Sequence, residues 1–302
     1  MLFEHRAFWL PKDVQNAQAY EDAFEVDGVR GLAAVCDGVS STLFAGRWAA
    51  ILAQAVVAAP PDVHDQNSLE LWLKQARTAW SQTIDESSLA WHQKPKLLDG
   101  AGTTLLWVEL AMLDAAEGVA KPYQLRAYSI GDCCLFHIRQ GQVLQSFPIQ
   151  NSTRFEDNPQ VIRSVAKRGD SLAFEAMETL CHPGDLLVLA TDAVAGWTMR
   201  QLEAGAVIDW NAYWNTPLEQ WQQWLIELRQ QNQIRYDDST VLMLWLGGEM
   251  PSIRPVARQQ DEGLLDTAEV KLRDAMKTLK GSLRKGLREL AESKWLKESD
   301  KR

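Results

Sequence analysis

Acidic residues stand where apolar runs of the chain begin or end. Asp37 closes GLAAVCDG, Asp132 closes LRAYSIGD, Asp192 closes DLLVLATD, Asp237 opens DDSTVLMLW, and Glu21 with Asp22 leads into the run that begins at Ala23. A side chain at a strand end leaves the sheet and can join others in a site. If these ends meet, several like charges share one small space, which repulsion and desolvation forbid unless protons or cations neutralise them. Every candidate donor is an oxygen, with no histidine or thiolate among them, and that chemistry selects Mg²⁺ or Mn²⁺ over Zn²⁺ or Cu²⁺. Two such ions lower the pKa of a water between them and hold phosphoryl oxygens for in-line attack. Any one of these acids alone reads as an ordinary turn or capping residue, so the set carries the argument.

The elements that must position these acids follow from hydrophobic pattern. The runs 31–36, 103–110, 124–130, 135–139, 186–190 and 240–246 read as buried or half-buried strands. Positions 134–139 and 143–147, joined around Gln140-Gly141, read as a β-hairpin. Helical spacing covers 44–59, 69–88 and 218–231. The strands are not each followed by a helix, as a parallel fold would demand, so the reading is antiparallel sheets covered by long helices. Trp210, Trp214, Trp221 and Trp224 recur at spacings that suit one buried helix face, with a peptide-binding surface as the sharper alternative.

Composition narrows the function classes. The 302 residues are 46% apolar, enough for a substantial core, and carry a net charge of −9, which argues against a nucleic-acid partner. No apolar stretch reaches the roughly 20 residues of a membrane span, and no basic segment precedes an apolar one at the N-terminus, so a cytoplasmic protein is expected. Cys36, Cys133, Cys134 and Cys181 have no CxxC spacing and read as reduced core thiols, although Cys36 beside Asp37 raises a redox alternative. The five histidines lack metal-ligand spacing.

Composition changes near Pro251. Lys and Arg number 19 against 31 Asp and Glu up to position 257, then 12 against 9. The expected division is a body over 1–250 and a linker with a C-terminal amphipathic helix over 251–302. Leu272, Met276, Leu279, Leu283, Leu287 and Leu290 form the apolar stripe of that helix, weakened by Gly281 and Gly286. It could pack on its own body, dock a protein partner or an anionic surface, or self-associate.

The order of motifs resembles that of the metal-dependent type-2C (PPM) serine/threonine protein phosphatases, in the manner of a bacterial member. The resemblance runs from about 20 to 246 through YEDAF (20–24), VCDGVSS (35–41), GTTL (102–105), SIGDCCLFHIRQGQ (129–142), GDLLVLATDAV (184–194) and DDST (237–240). It implies an α+β fold, a four-layer αββα sandwich of two antiparallel β-sheets flanked by helices. It implies two Mn²⁺ or Mg²⁺ ions bridged by Asp37, with the Gly38 carbonyl on one and Asp192 and Asp237 on the other. Glu21 and Asp22 would hold water around the ions, and Asp132 with Asp192 a third, weaker ion. The substrate implied is a phosphoserine or phosphothreonine protein, attacked directly by the bridging water or hydroxide, and a mobile flap is expected within 151–170.

Departures from the family pattern touch its chemistry. Ala17 stands where the family often has an arginine to grip phosphate, which leaves Lys12 or Arg6 as substitutes. Val39 stands where animal members carry a histidine read as the general acid. Ser40-Ser41 and Ala193 replace common glycines. The missing arginine motivates the alternative of a pseudophosphatase that keeps the fold and serves as a regulatory binding module.

Overall fold

The computed structural model describes residues 1–247 apart from 118, 157 and 168–171. The expected helix over 262–296, and with it the partner-docking reading, lies outside the described residues. In chain order the elements are β1 (Glu4–Leu10), β2 (Ala23–Asp27), β3 (Leu32–Cys36), α1 (Ala45–Ala58), α2 (Gln66–Gln82), α3 (Lys94–Asp99), β4 (Gly102–Thr103), β5 (Leu105–Met112), β6 (Tyr123–Ile130), β7 (Cys134–Arg139) and β8 (Gln142–Phe147). They continue with β9 (Ile162–Arg163), β10 (Glu175–Cys181), β11 (Leu186–Ala190), α4 (Asp192–Glu203), α5 (Trp210–Asn215), α6 (Leu218–Gln230) and β12 (Ser239–Trp245). Among the described residues no helix is long and apolar enough to cross a membrane.

Two five-stranded antiparallel sheets, ordered β1-β12-β11-β7-β8 and β10-β6-β5-β3-β2, make the inner layers. The expected four-layer sandwich is therefore present. The period of two along each strand explains it. In β3, Leu32, Ala34 and Cys36 pack with α1 and α2, while Ala33 and Val35 face the opposite sheet. In β11, Leu186, Val188 and Ala190 pack with α4 and α6, and Leu187 and Leu189 meet Leu242 and Leu244 between the sheets. Both faces are covered, so these strands are apolar at every position.

The expected strands and the hairpin form within one or two residues of their predicted limits, and Gln140 and Gly141 both take the positive φ that a two-residue hairpin turn requires, 51° and 78°. The run expected over 103–110 is divided, with Thr104 between β4 and β5. The helix expected to reach 88 ends at Gln82, after which Asp85 accepts the Ser87 N–H to start a separate turn.

The tryptophans belong to two helices broken at Pro217. Trp210, Trp214 and Trp221 are buried, and the Trp197 and Trp224 rings meet edge to face with centroids 5.1 Å apart. This is packing, and it overturns the peptide-surface alternative. All four cysteines are free and buried, and burial pushes the Cys36 thiol well up, which removes the basis for a redox role there.

At one end of the sandwich Asp185 is fully buried and accepts bonds from Arg139 Nε (2.7 Å) and Nη2 (2.8 Å) and from the His182 N–H (2.8 Å), with His137 Nε2 at 2.7 Å. Burial pushes its pKa up, but Arg139, His137 and the His182 N–H outweigh that and hold it well below the usual carboxylate range. The ionised carboxylate can only accept, so Nε2 carries the proton toward it. Cys181 lies beside this group. With both carboxylate oxygens taken by cationic or N–H donors, the cluster is a structural lock joining β7 to the β10–β11 turn rather than a metal site.

Candidate functional site

The other end of the sandwich gathers the predicted acids. Antiparallel pairing places the end of β3 beside the start of β2, Cys36 opposite Ala23, and the end of β6 beside the start of β5, Ile130 opposite Leu105. In the second sheet, the end of β11 lies beside the starts of β7 and β12, Ala190 opposite Cys134 and Val241. Asp37, Asp22, Asp132, Asp192 and Asp237 each follow or precede one of these ends, so register gathers them at one edge of each sheet, and bonds from Thr191 and Thr240 to Asp22 join the two edges into one rim.

Short polar contacts fix them there. Thr103 Oγ1 (2.7 Å) and the Thr104 N–H (2.9 Å) donate to the Asp37 carbonyl, and the Asp37 N–H donates to Thr104 Oγ1 at 3.1 Å. Gly38 bridges to Thr103, and a Cβ at Gly38 would stand 2.5 Å from the Glu21 carbonyl oxygen, so only glycine lets this loop close on the first acidic motif. Gly131, with φ +102°, turns the chain after β6 to present Asp132, and a Cβ there would lie 2.4 Å from Thr104 Cγ2. Asp22 Oδ2 accepts from Thr191 Oγ1 (3.0 Å) and Thr240 Oγ1 (2.6 Å), which ties β2 to the ends of β11 and β12.

Asp238, Tyr20 and Arg235, to which the sequence assigns no role of their own, complete the rim together with Lys12. Asp238 is buried and accepts the Lys12 N–H on Oδ1 (2.5 Å) and the Glu21 N–H on Oδ2 (2.7 Å). Tyr20 Oη hydrogen-bonds Thr240 Oγ1. Arg235 Nη1 donates to Asp192 Oδ2, and Arg235 Nε is 3.8 Å from Asp237 Oδ2. Lys12 Nζ is 3.2 Å from Asp237 Oδ1. Arg6, one of the two substitutes for the missing arginine, is instead turned onto the Trp214 carbonyl and lies away from the rim, so the structure removes it from that role. Ala17 is exposed on a short 3₁₀ turn, Ala17–Ala19.

The rim is over-supplied with negative charge. Burial, followed by Asp22, Asp192, Asp132 and Asp237, pushes the Asp37 carboxyl well above its ordinary range. Burial also drives Asp22 well up, with Asp238 and Asp192 adding to it against the two threonine bonds. Asp132 is pushed up to about 7 by burial and by Asp192. For Asp192, burial and Asp237 raise the pKa and Arg235 only partly offsets them. Asp22 Oδ1 and Asp192 Oδ1 are buried without a hydrogen-bond partner among the described residues. Two orphaned carboxylate oxygens in a cluster that resists ionisation are what a hard divalent cation would satisfy, so the residues present fit such ions.

Of the segment expected to hold a flap, residues 152–156 form a 3₁₀ turn seated on α4, where the Ser152 N–H and Oγ donate to Glu203, and β9 pairs with β4. The Gln160 carbonyl comes close to Gly131, so the segment passes beside Asp132.

Residues 12–235 match the family described as protein phosphatase 2C. The chain belongs to the protein phosphatase 2C family. Solved structures of the same fold include the catalytic domain of the serine/threonine protein phosphatase PstP in complex with two manganese ions. It is 15% identical, with a TM-score of 0.50, over 82% of this chain and 99% of that one. The serine/threonine phosphatase Stp1 from Staphylococcus aureus is 14% identical, with a TM-score of 0.50, over 82% of this chain and 96% of that one. Comparison with curated proteins returns no match. The family match ends two residues before Asp237, so the final acidic motif is placed by the sheet register rather than by the match.

Proposed function

We infer that this chain is a metal-dependent serine/threonine protein phosphatase working at the acidic rim. The observation that carries the reading is the convergence of Asp22, Asp37, Asp132, Asp192 and Asp237, with two buried carboxylate oxygens left without hydrogen-bond partners among the described residues. Family membership and a manganese-bound protein of the same fold support it.

Asp37, with the Gly38 carbonyl, Asp192 and Asp237 are assigned to two divalent cations, and Asp132 with Asp192 to a third. Bound there, Mn²⁺ or Mg²⁺ would lower the pKa of a water between the carboxylates and offset the charge of the phosphoryl oxygens. The chain's own work is positional. Thr103 and Thr104 fix the backbone that carries Asp37, and Thr191 and Thr240 fix Asp22. Asp238 holds the Glu21 backbone so that Glu21 and Asp22 can orient water at the rim. Val39 has no proton to give, so the serine or threonine leaving group takes its proton from water.

The exposed Ala17 at the usual arginine position is the observation that favours the second reading, a regulatory module without turnover. Hydrolysis of a phosphothreonine peptide and of para-nitrophenyl phosphate, followed with Mn²⁺, with Mg²⁺ and with EDTA, separates the two. Turnover that needs metal and disappears in Asp192→Ala supports the phosphatase. Silence on both substrates with metal bound supports the regulatory module.

A further inference from the structure

Resting on the phosphatase reading above, we propose that Arg235 is the residue that grips the substrate's phosphoryl group in place of the arginine missing at position 17. Arg235 lies in the loop between α6 and β12 with its side chain 58% exposed, yet it is anchored on the rim by Asp192, which is only 7% exposed. Two features set it apart from an ordinary surface ion pair.

The first is how Asp192 is divided. Arg235 takes Oδ2, while Oδ1 is buried without a hydrogen-bond partner among the described residues. Asp192 can therefore give Oδ1 to a cation and keep the guanidinium on Oδ2, so loading the rim does not require Arg235 to leave. The second is what Arg235 still offers. Its hydrogen bonding among the described residues is to Asp192, and the 3.8 Å separation from Asp237 is an ion pair too long for a hydrogen bond. A guanidinium carries five N–H donors in a planar fork, so most of the fork remains available to two oxygens of a tetrahedral phosphoryl group.

The two cations singled out in the sequence serve less well. Lys12 is tied through its backbone to Asp238 and through Nζ to Asp237, and an ammonium is a point charge without the fork. Arg6 is engaged with Trp214. Arg235 also lines a cavity of about 530 Å³ with Arg200, Arg229, Asn232, Gln233 and Tyr236, whose lining holds three arginines and no acidic side chain.

The test uses the full chain loaded with Mn²⁺, compared with Arg235→Ala and Arg235→Lys. Calorimetry measures orthophosphate and Mn²⁺ binding, and steady-state kinetics measure the phosphothreonine peptide. In Arg235→Ala the orthophosphate Kd and the peptide KM should both rise about tenfold, the scale of one lost charge-assisted contact. kcat should change by less than about threefold, because the contact is made in the bound substrate as well as in the transition state. Arg235→Lys should recover part of the loss, and Mn²⁺ affinity should not weaken. Unchanged orthophosphate binding in Arg235→Ala, with or without tighter Mn²⁺ binding, overturns the proposal, as does a wild-type chain that binds no orthophosphate. Orthophosphate binding that depends on Arg235 in a chain without turnover would sink the phosphatase reading and leave the grip standing. Turnover with a KM indifferent to Arg235 would do the reverse.

Discussion

Asp238 accepts the backbone N–H of Glu21 at 2.7 Å and so fastens the first acidic motif to the last across 217 residues of sequence. Its other oxygen holds the Lys12 N–H at 2.5 Å, and the side chain is 4% exposed. Asp238→Ala would strand two N–H groups in a largely buried setting. The expected cost is about 2–4 kcal/mol in chemical denaturation, given ~1–3 kcal/mol for each unsatisfied buried group. Turnover should fall as well, although the Asp238 carboxylate is assigned to neither substrate nor cation, because the Asp238 N–H also donates to Oδ1 of the assigned ligand Asp237 at 3.0 Å. Asp238→Asn keeps one acceptor oxygen and should cost less than the alanine.

Stability of the metal-free protein should decline as pH rises. Asp22, Asp37, Asp132 and Asp192 all have folded-state pKa values above their unfolded ones, so the folded chain holds protons that the unfolded chain has released. Their stabilising contribution is complete below the unfolded value near 4 and is lost as pH rises through the folded values, about 7 for Asp132. The Tm in EDTA should therefore be higher at pH 5 than at pH 8, apart from background trends removed by comparison with Asp132→Asn. Mn²⁺ should raise the Tm most at pH 8, where the carboxylates are free to ionise.

Asp185 predicts the opposite dependence. Its folded pKa is depressed, so its contribution is present above the unfolded value and is lost as pH falls below about 4 toward the folded one. Asp185→Asn leaves Arg139 and His137 facing an uncharged amide at the far end of the sandwich. It should cost about 3–5 kcal/mol. Metal affinity should be unchanged at equal folded fraction, since the assigned ligands lie at the other end.

Gly131→Ala should be among the most damaging single-methyl changes. The residue has φ +102°, and its Cβ would stand 2.4 Å from Thr104 Cγ2. Backbone strain and the clash together should cost about 2–4 kcal/mol. Because the turn presents Asp132, Mn²⁺ binding should weaken at the same time. A loss of stability with metal affinity intact would detach Asp132 from the site.

Most of the strands visible in the sequence have both faces buried. LLVLA (186–190) is apolar at every position because helices cover one face and the second sheet the other, so its limits could be read directly. β10, EAMETLC, lies at a sheet edge with mostly exposed side chains and carries little apolar signal. α4 was invisible for the opposite reason. Asp192 through Met199 are all buried, so no polar face marks a helical period. Asp37, Asp132, Asp192 and Asp237 stood out because each adjoins an apolar run. Asp238 did not, because the doublet DD gives no sign of which carboxylate turns to the rim and which to the backbone of Glu21. Arg235 is a loop arginine with no periodic context, and its meeting with Asp192 depends on how the α6–β12 connection folds back.

The most direct measurement is a calorimetric titration of EDTA-stripped protein with Mn²⁺, comparing the wild-type chain with Asp37→Asn. A two-cation rim should take up at least two ions in the wild-type chain, with both principal sites lost or severely weakened by Asp37→Asn because that residue is assigned to both. A wild-type chain that takes up no Mn²⁺, or an Asp37→Asn chain that binds it undiminished, would contradict the assignment of the acidic rim as a metal-dependent phosphatase centre.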